Sequence, residues 1–510
     1  MKHIVLVIFF CFQIAGFYAQ SGGGFSRLYT LGDSAIYGSH FSNLLVKGDT
    51  IVAFGNSYTT ASLPYIAVAL TMLDSFGNIL DRNFFHLAND HLLAEECNDI
   101  VRRSVGGYAV ISTTFIGHQA STTFFNEAGE VTSNKIYSVD NILTMFARRI
   151  LEMSDGGLLI GGFVQNLDYS SDNFIKRVGP AGNKVWSRIY GEAGKNDILQ
   201  SLIKTDDNNY VIGGGRVSPQ GTPLPASWGK SWIFAIDSMG VMKWEWFSPL
   251  NAEVGAMGLQ QTKDNGWIYL TATHEIVSPD ETGNHIKAVR RDSSFNLIWE
   301  KVLSPLGPAV NRIGDLVPTP DGNWVASGTW AYKTGPGQDD ITFYNCLVKL
   351  NDQGDTFWTV RLKAPLGYEG ISYPGGLAVL SSGSVVWAIW FDRYEPSPAQ
   401  SFGWLIKVDN DGCVDTLCQT SGLLPELPDG EAAQLRVYPN PASTQVTFDL
   451  PELSSPVLLS VFDLRGNLLW VKDFRSTTVW NTEEVSAGLY FYTLTSDGFE
   501  IQSGKVVVMH

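Results

Sequence analysis

Two short strings in this chain have the residue types of a serine hydrolase: Gly32-Asp33-Ser34, with a hydroxyl beside a carboxylate, and Gly194-Lys195-Asn196-Asp197. A serine nucleophile needs a base to take its proton. The histidines at 40, 86, 91, 118, 274 and 285 are scattered, without the i, i+4 spacing or the paired cysteines of a zinc site, and read as loop or surface residues. Asp409-Asn410-Asp411-Gly412 has the opening of a calcium loop but no later glutamate, so it reads as a turn. Cys413 and Cys418 are close enough for a local disulfide in an oxidising compartment, and no histidine or second cysteine pair accompanies them for metal. No glycine-rich phosphate loop opens a helix. The sequence thus assigns no catalytic residue, no metal ligand and no cofactor. Carboxylates are plentiful, and which two would face each other across a cleft is not written in their spacing.

The two hydrolase-like strings resemble blocks of the GDSL-type esterases, a family that implies a base in Asp-x-x-His. None of the eight histidines has Asp three residues before it. Both strings also follow equivalent strands, Arg27-Leu28-Tyr29 and Arg188-Ile189-Tyr190, so loop composition explains them.

What must position any site is a repeat. Between Phe41 and Asp415 an apolar strand, a turn, two more strands and a second turn recur at roughly 50 to 60 residues. The first turns are Lys47-Gly48-Asp49, Val105-Gly106-Gly107, Asp155-Gly156-Gly157, Asp207-Asn208-Asn209, Asp264-Asn265-Gly266, Asp321-Gly322-Asn323 and Ser382-Gly383-Ser384. Second turns follow each, from Asp74-Ser75-Phe76-Gly77 to Asp409-Asn410-Asp411-Gly412, and four lead to Trp186, Trp244, Trp299 or Trp358. About four short strands per period predicts a β-propeller blade, and seven periods predict seven blades. The tryptophans are expected to fill gaps between adjacent sheets. Ser26-Arg27-Leu28-Tyr29 resembles Ser187-Arg188-Ile189-Tyr190, the outer strand of the third unit, yet precedes the first unit. It is therefore expected to complete the seventh blade and remove an exposed edge.

Three inserts in the repeat are candidate ligand loops, since loops on a rigid scaffold carry binding. They are Val217 to Lys230 with Trp228, Ala331 to Thr342 with Tyr332, Asp339 and Asp340, and Asp392 to Phe402 with Tyr394. Exposed rings beside acidic groups suit a sugar or a protein partner.

Composition agrees: 12% aromatic residues, 51 glycines and 17% charged residues describe a turn-rich β protein. A net charge of −16 repels a phosphate backbone and argues against nucleic acid as partner. Met1-Lys2-His3 followed by apolar Ile4 to Ile14 predicts a signal peptide, cleaved between Ala19 and Gln20, with no transmembrane segment left in the mature chain.

From Leu435 onward the pattern changes to short alternating strands bounded by Pro, Gly, Asn and Asp, which predict a small antiparallel sandwich. Tyr438-Pro439-Asn440-Pro441, Gly488-Leu489-Tyr490 and Gly504-Lys505-Val506-Val507-Val508 occur in it in that order. This segment resembles the type A C-terminal sorting domain of the type IX secretion system of Bacteroidetes-type bacteria. The resemblance implies the type IX machinery as partner, passage through the periplasm, and release or anchoring at the outer-membrane surface.

The chain is thus expected to be all-β: residues 1–19 a signal peptide, 20–420 a seven-bladed β-propeller, 421–433 a linker, and 434–510 a sorting β-sandwich. The function expected is a secreted or cell-surface, non-catalytic module binding glycan or protein. The alternative is a polysaccharide-active propeller enzyme, a hydrolase or lyase.

Overall fold

The computed structural model describes residues 24–29, 39–58, 66–87, 90–94, 99–116, 118–139, 141–218, 229–249, 253–278, 281–308, 311–333, 341–363, 369–395, 400–414, 435–450, 457–463, 468–483, 485–496 and 499–509. Every regular element among them is a β-strand, and no helix is long and apolar enough to cross a membrane.

Strands pair with their sequence neighbours into antiparallel sheets. Ser39–Lys47, Thr50–Tyr58, Ile66–Leu73 and Ile79–Phe85 form the first. The same order recurs in a second sheet (92–137), a third (142–190), a fourth (196–247), a fifth (253–302) and a sixth (312–362). One parallel residue pair, Ser171 with Asn196, joins the third to the fourth. In the last set Glu369–Val379, Val385–Glu395 and Gln400–Val408 take Phe25–Tyr29 as their fourth strand, with Leu28 opposite Trp404. The N-terminal strand is placed where its likeness to Ser187–Tyr190 puts it.

Burial explains the composition of each strand. The middle strands, such as Tyr108–Thr114, are buried on both faces and read as continuous apolar or small residues. The outermost strands, such as Leu297–Val302, are largely exposed and carry charge. Core clusters run between consecutive sheets; one joins Phe25, Tyr29, Phe41 and Ile51 to Val386, Ala388 and Leu405.

The two ends of the sheets differ. One end carries only tight turns, in which a fourth residue takes positive φ: Gly77, Gly129, Gly182, Gly240, Phe295, Gly354 and Gly412 in the second turns. A Cβ at Gly354 or Gly412 would also meet Trp299 or Trp358 of the preceding sheet within 3 Å. Those tryptophans, with Trp186, donate Nε1 to the turn carbonyls of the following sheet: Trp186 to Ser238, Trp299 to Asp352, Trp358 to Asn410, at 2.8–3.2 Å. Trp244 instead packs on Trp267 and Phe295. The tryptophans thus fill the inter-sheet gaps as their spacing predicts.

Buried cations repeat the same bridge. Lys349 reaches Asp321 at 2.7 Å and Asn410 of the next sheet, and Arg290 reaches Asp264 at 2.5 Å and Asp352 of the next sheet at 3.6 Å. Lys407 donates to the Ser75 carbonyl of the first sheet at 2.8 Å, and Tyr29 donates to Gly77 at 2.7 Å. The last sheet therefore binds the first as its neighbours bind one another.

The C-terminal residues form two further sheets, Arg436–Tyr438, Gln445–Asp449 and Thr477–Asn481 against Leu468–Phe474, Val457–Phe462, Gly488–Ser496 and Phe499–Val508. One core of Val446, Phe448, Leu459, Val461, Trp480, Tyr492 and Val506 joins them.

Candidate functional site

The first strand of nearly every sheet is broken by a β-bulge, at Phe41/Asn43, Ala147/Arg149, Leu199/Ser201, Met257/Gln260, Ile313/Leu316 and Pro374/Leu377. A bulge re-aims its side chain and leaves backbone groups to be satisfied. Here Asn43, Asp99, Arg149, Ser201, Gly258, Asp315 and Gly376 occupy equivalent places, each followed by Leu or Ile. The side chains tie one sheet to the next. Asn43 Nδ2 donates to Asp99 at 3.1 Å, Ile150 N–H to Asp99 at 3.3 Å, and Leu259 N–H to Ser201 Oγ at 3.2 Å. Leu377 N–H donates to Asp315. Gly376 leaves the space that Asn43 Oδ1 fills; a Cβ there would lie 1.6 Å away.

This belt contains two carboxylates and one guanidinium. Burial pushes Asp99 up to about 6, opposed by Arg149 and by the Ile100 and Ile150 amides and reinforced by Asp315. Burial raises Asp315 as well, again opposed by Arg149. Asp99 Oδ1 accepts from Asn43 Nδ2 and the adjacent Ile100 amide and Oδ2 from the Ile150 amide, so both oxygens are engaged in holding sheets together.

At the end opposite the turns lies a row of planar groups. Tyr373 and Trp390 face each other across the seventh sheet, centroids 4.8 Å apart. Arg312 of the sixth sheet sits 4.0 Å over Tyr373, and His40 of the first stacks on Trp390 at 4.0 Å and 11°. His40 is buried, its Nε2 donates to the Ala94 carbonyl at 2.8 Å, and burial lowers it to about 4, so it is neutral. Alternation along Val385–Glu395 puts Trp390, Asp392 and Tyr394 on one face. Asp392 Oδ1 accepts from Trp390 Nε1 at 2.6 Å and from Ser401 Oγ at 2.5 Å. Tyr394 is 48% exposed, and desolvation, Tyr373 and Asp392 raise its hydroxyl against the influence of Arg312, which keeps it a neutral donor.

Of the residues singled out in the sequence, Tyr394 alone among the ligand-loop candidates has a described side chain. Tyr332 lies in Trp324–Lys333 with its side chain outside the described residues, as do Trp228, Asp339, Asp340, Cys418, Ser34, Ala19 and Gln20 entirely. Cys413 closes the turn whose Asp409 Oδ1 accepts from Asp411 and Cys413, so that carboxylate serves its own turn. Asp197 is buried against Arg216, Oδ1 to Nε 2.7 Å, in an ion pair between neighbouring strands. His40, expected as a loop or surface residue, is a core residue because Trp390 covers it. Asp99, Arg149 and Asp315 were not singled out in the sequence. Their signal is that each stands seven residues before the positive-φ glycine of its turn, Gly106, Gly156 or Gly322, and just before an aliphatic residue.

In the C-terminal sheets the three motifs meet on one strand. Gly488, Leu489 and Tyr490 pair with Val508, Val507 and Val506. On the other side Asn440 Nδ2 donates to the Lys505 carbonyl at 3.0 Å and its Oδ1 accepts from Val507 at 2.9 Å. Tyr438, Pro439, Pro441 and Lys505 stay exposed around this joint, beside the half-buried Gly504.

Residues 436–509 match the family model described as the secretion system C-terminal sorting domain. The segment is a type IX secretion sorting domain, and it marks the chain for export to the cell surface or beyond. No curated protein matches the chain. Among solved structures the backbone is similar to PL25 ulvan lyase (TM-score 0.46, 10% identity, 76% of this chain and 97% of that one). It is also similar to polysaccharide lyase Uly1 (0.42, 11%, 73% and 90%) and to the β-propeller domain of the trilobed protease from Pyrococcus furiosus (0.37, 11%, 71% and 97%). The described fold is all-β and these neighbours are propeller-like.

Proposed function

We propose that the chain is an exported seven-bladed β-propeller, residues 20–420, joined through 421–433 to a sorting β-sandwich, 434–510, and released or held at the outer surface after removal of residues 1–19. It works there as a non-catalytic binding module for glycan or protein, presented on the loop-bearing end. The carrying observation is Tyr394, 48% exposed at the loop-bearing end on the strand face that carries Trp390 and Asp392; the turn end also exposes Phe76, Val105 and Met239 but is stitched by tryptophan and cation bridges. Exposed apolar surface of this kind on a rigid scaffold marks interaction. Binding of the full chain to arrayed glycans and to immobilised extracellular proteins tests it; no signal on either sinks the reading.

The enzyme alternative draws on Asp99 and Asp315, a carboxylate pair with raised affinity for protons. Their oxygens are committed to the belt, which favours a structural role. Release of reducing ends or unsaturated uronate from a polysaccharide, lost in Asp99→Asn, would restore the enzyme.

A further inference from the structure

We infer that the seam between the sixth, seventh and first sheets is a glycan site, in which a pyranose of a polysaccharide lies against Tyr394 and Tyr373 and is held through its hydroxyl or carboxylate rim by Arg312 and Asp392. This rests on the binding reading above and names its ligand class.

A sugar ring presents an apolar C–H face and a polar edge, so its receptor needs a fixed ring with planar donors and acceptors beside it. The seam supplies both. The Arg312–Tyr373–Trp390–His40 row is rigid because each member covers the next at 4.0 to 4.8 Å. Neutral His40 anchors the row without adding charge, its Nε2 spent on Ala94 and its buried Nδ1 without a hydrogen-bond partner among the described residues. Trp390 Nε1 and Ser401 Oγ orient the Asp392 carboxylate, which therefore needs no rearrangement to accept a hydroxyl. Burial grades along the row from core His40, through half-buried Arg312, Tyr373, Trp390 and Asp392, to exposed Tyr394. That gradient gives a wall with one open side. A flat apolar peptide patch would not need the guanidinium and carboxylate set around the exposed ring, and both suit the alternating donors and acceptors of a sugar edge.

The full chain is titrated with laminarin and xylan as neutral probes and with alginate and polygalacturonate as uronate probes, following tryptophan fluorescence and heat. At least one polysaccharide binds; Tyr394→Ala weakens it at least tenfold with an unchanged melting curve, and Trp390→Phe removes the fluorescence change. Val105→Ala, in an exposed first turn at the opposite end of the sheets, leaves affinity within twofold. Preference for the neutral pair assigns Arg312 to vicinal hydroxyls, and preference for the uronates assigns it to carboxylate. Unchanged affinity in Tyr394→Ala overturns this site while leaving a binding module intact. Failure of all four polysaccharides overturns the glycan class, and the binding reading then rests on protein ligands alone.

Discussion

Two aromatic residues hold the same left-handed backbone at opposite ends of the sheets, and they are treated oppositely. Phe295, φ 64°, sits in a second turn where its six counterparts are glycine, and its ring lies against Trp246 at 4.9 Å and Trp267 at 5.6 Å. Tyr169, φ 65°, sits in a turn at the loop end and is 74% exposed. A non-glycine residue at positive φ is strained by about 1 kcal/mol or more. At the turn end packing offsets that strain, and at the loop end no described ring stack does. The Phe295 turn is tied by ring packing, and the Tyr169 turn leaves its ring mostly in water.

The contrast breaks most sharply at the bridges of the turn end. Lys349 is 5% exposed in its side chain, pairs with Asp321, and holds the Asn410 turn of the next sheet. Lys349→Met removes a buried cation from three acceptors and leaves Asp321, whose carboxyl its hydrogen bonds hold well below the usual range, without its cation. Unfolding by denaturant should show a loss of about 3 kcal/mol. A loss under 1 kcal/mol would mean that the inter-sheet bridge is ornamental. Phe295→Gly comes next: relief of backbone strain is outweighed by loss of two ring stacks, for a net loss of about 2 kcal/mol. A neutral result would erase the distinction between Phe295 and Tyr169.

The belt midway between the ends answers to pH. Asp99 has an ordinary unfolded carboxyl but titrates at about 6 when folded, so the folded state binds its proton more tightly. Its contribution is complete below about pH 4 and is lost as pH rises through 6. Stability should fall by about 1–2 kcal/mol from pH 4.5 to 7 on this account, with Asp315, raised in the same direction, adding to it and Arg149 limiting both. Asp99→Asn keeps the acceptor for Asn43 or an amide but not the charge, and should flatten the profile while raising stability at pH 7. An unchanged slope in the variant would place the titration elsewhere.

Much of this was legible in the chain. Turn chemistry repeats because positive φ selects Gly or Asn, so Gly106, Gly156, Asn208 and Asn265 announce their turns. The sorting motifs read correctly because they are local strings that pair on one strand. The ring-stack seam was less legible: Tyr394 announced itself by its loop, but Arg312, Tyr373, Trp390 and His40 come from three sheets and lie up to 350 positions apart in numbering. Nothing local distinguishes Trp390 from the packing tryptophans. The belt hid for another reason. A bulge between Ile313 and Leu316 breaks the period-two alternation at Asp315, and Asp99 lies just before the short strand Ile100–Arg102, so neither stands in a regular alternation.

The finest test of the two ends is Tyr169→Gly. The substitution removes a side chain that is mostly in water and relieves φ 65°, while the turn keeps its Tyr169 amide bond to Asn166 at 3.0 Å and the Ser170 amide bond to Asp168 at 3.0 Å. Glycine adds chain entropy to the unfolded state, which opposes the gain. The net expectation is a small stabilisation, about 0.5 kcal/mol, opposite in sign to Phe295→Gly at the same backbone angle. A destabilisation of 1 kcal/mol or more would show that the Tyr169 ring supports the fold, and the loop end would then be no less structural than the turn end. A gain, measured beside unchanged polysaccharide affinity, would leave Tyr169 as a residue that stability does not explain and that the Tyr394 seam does not use.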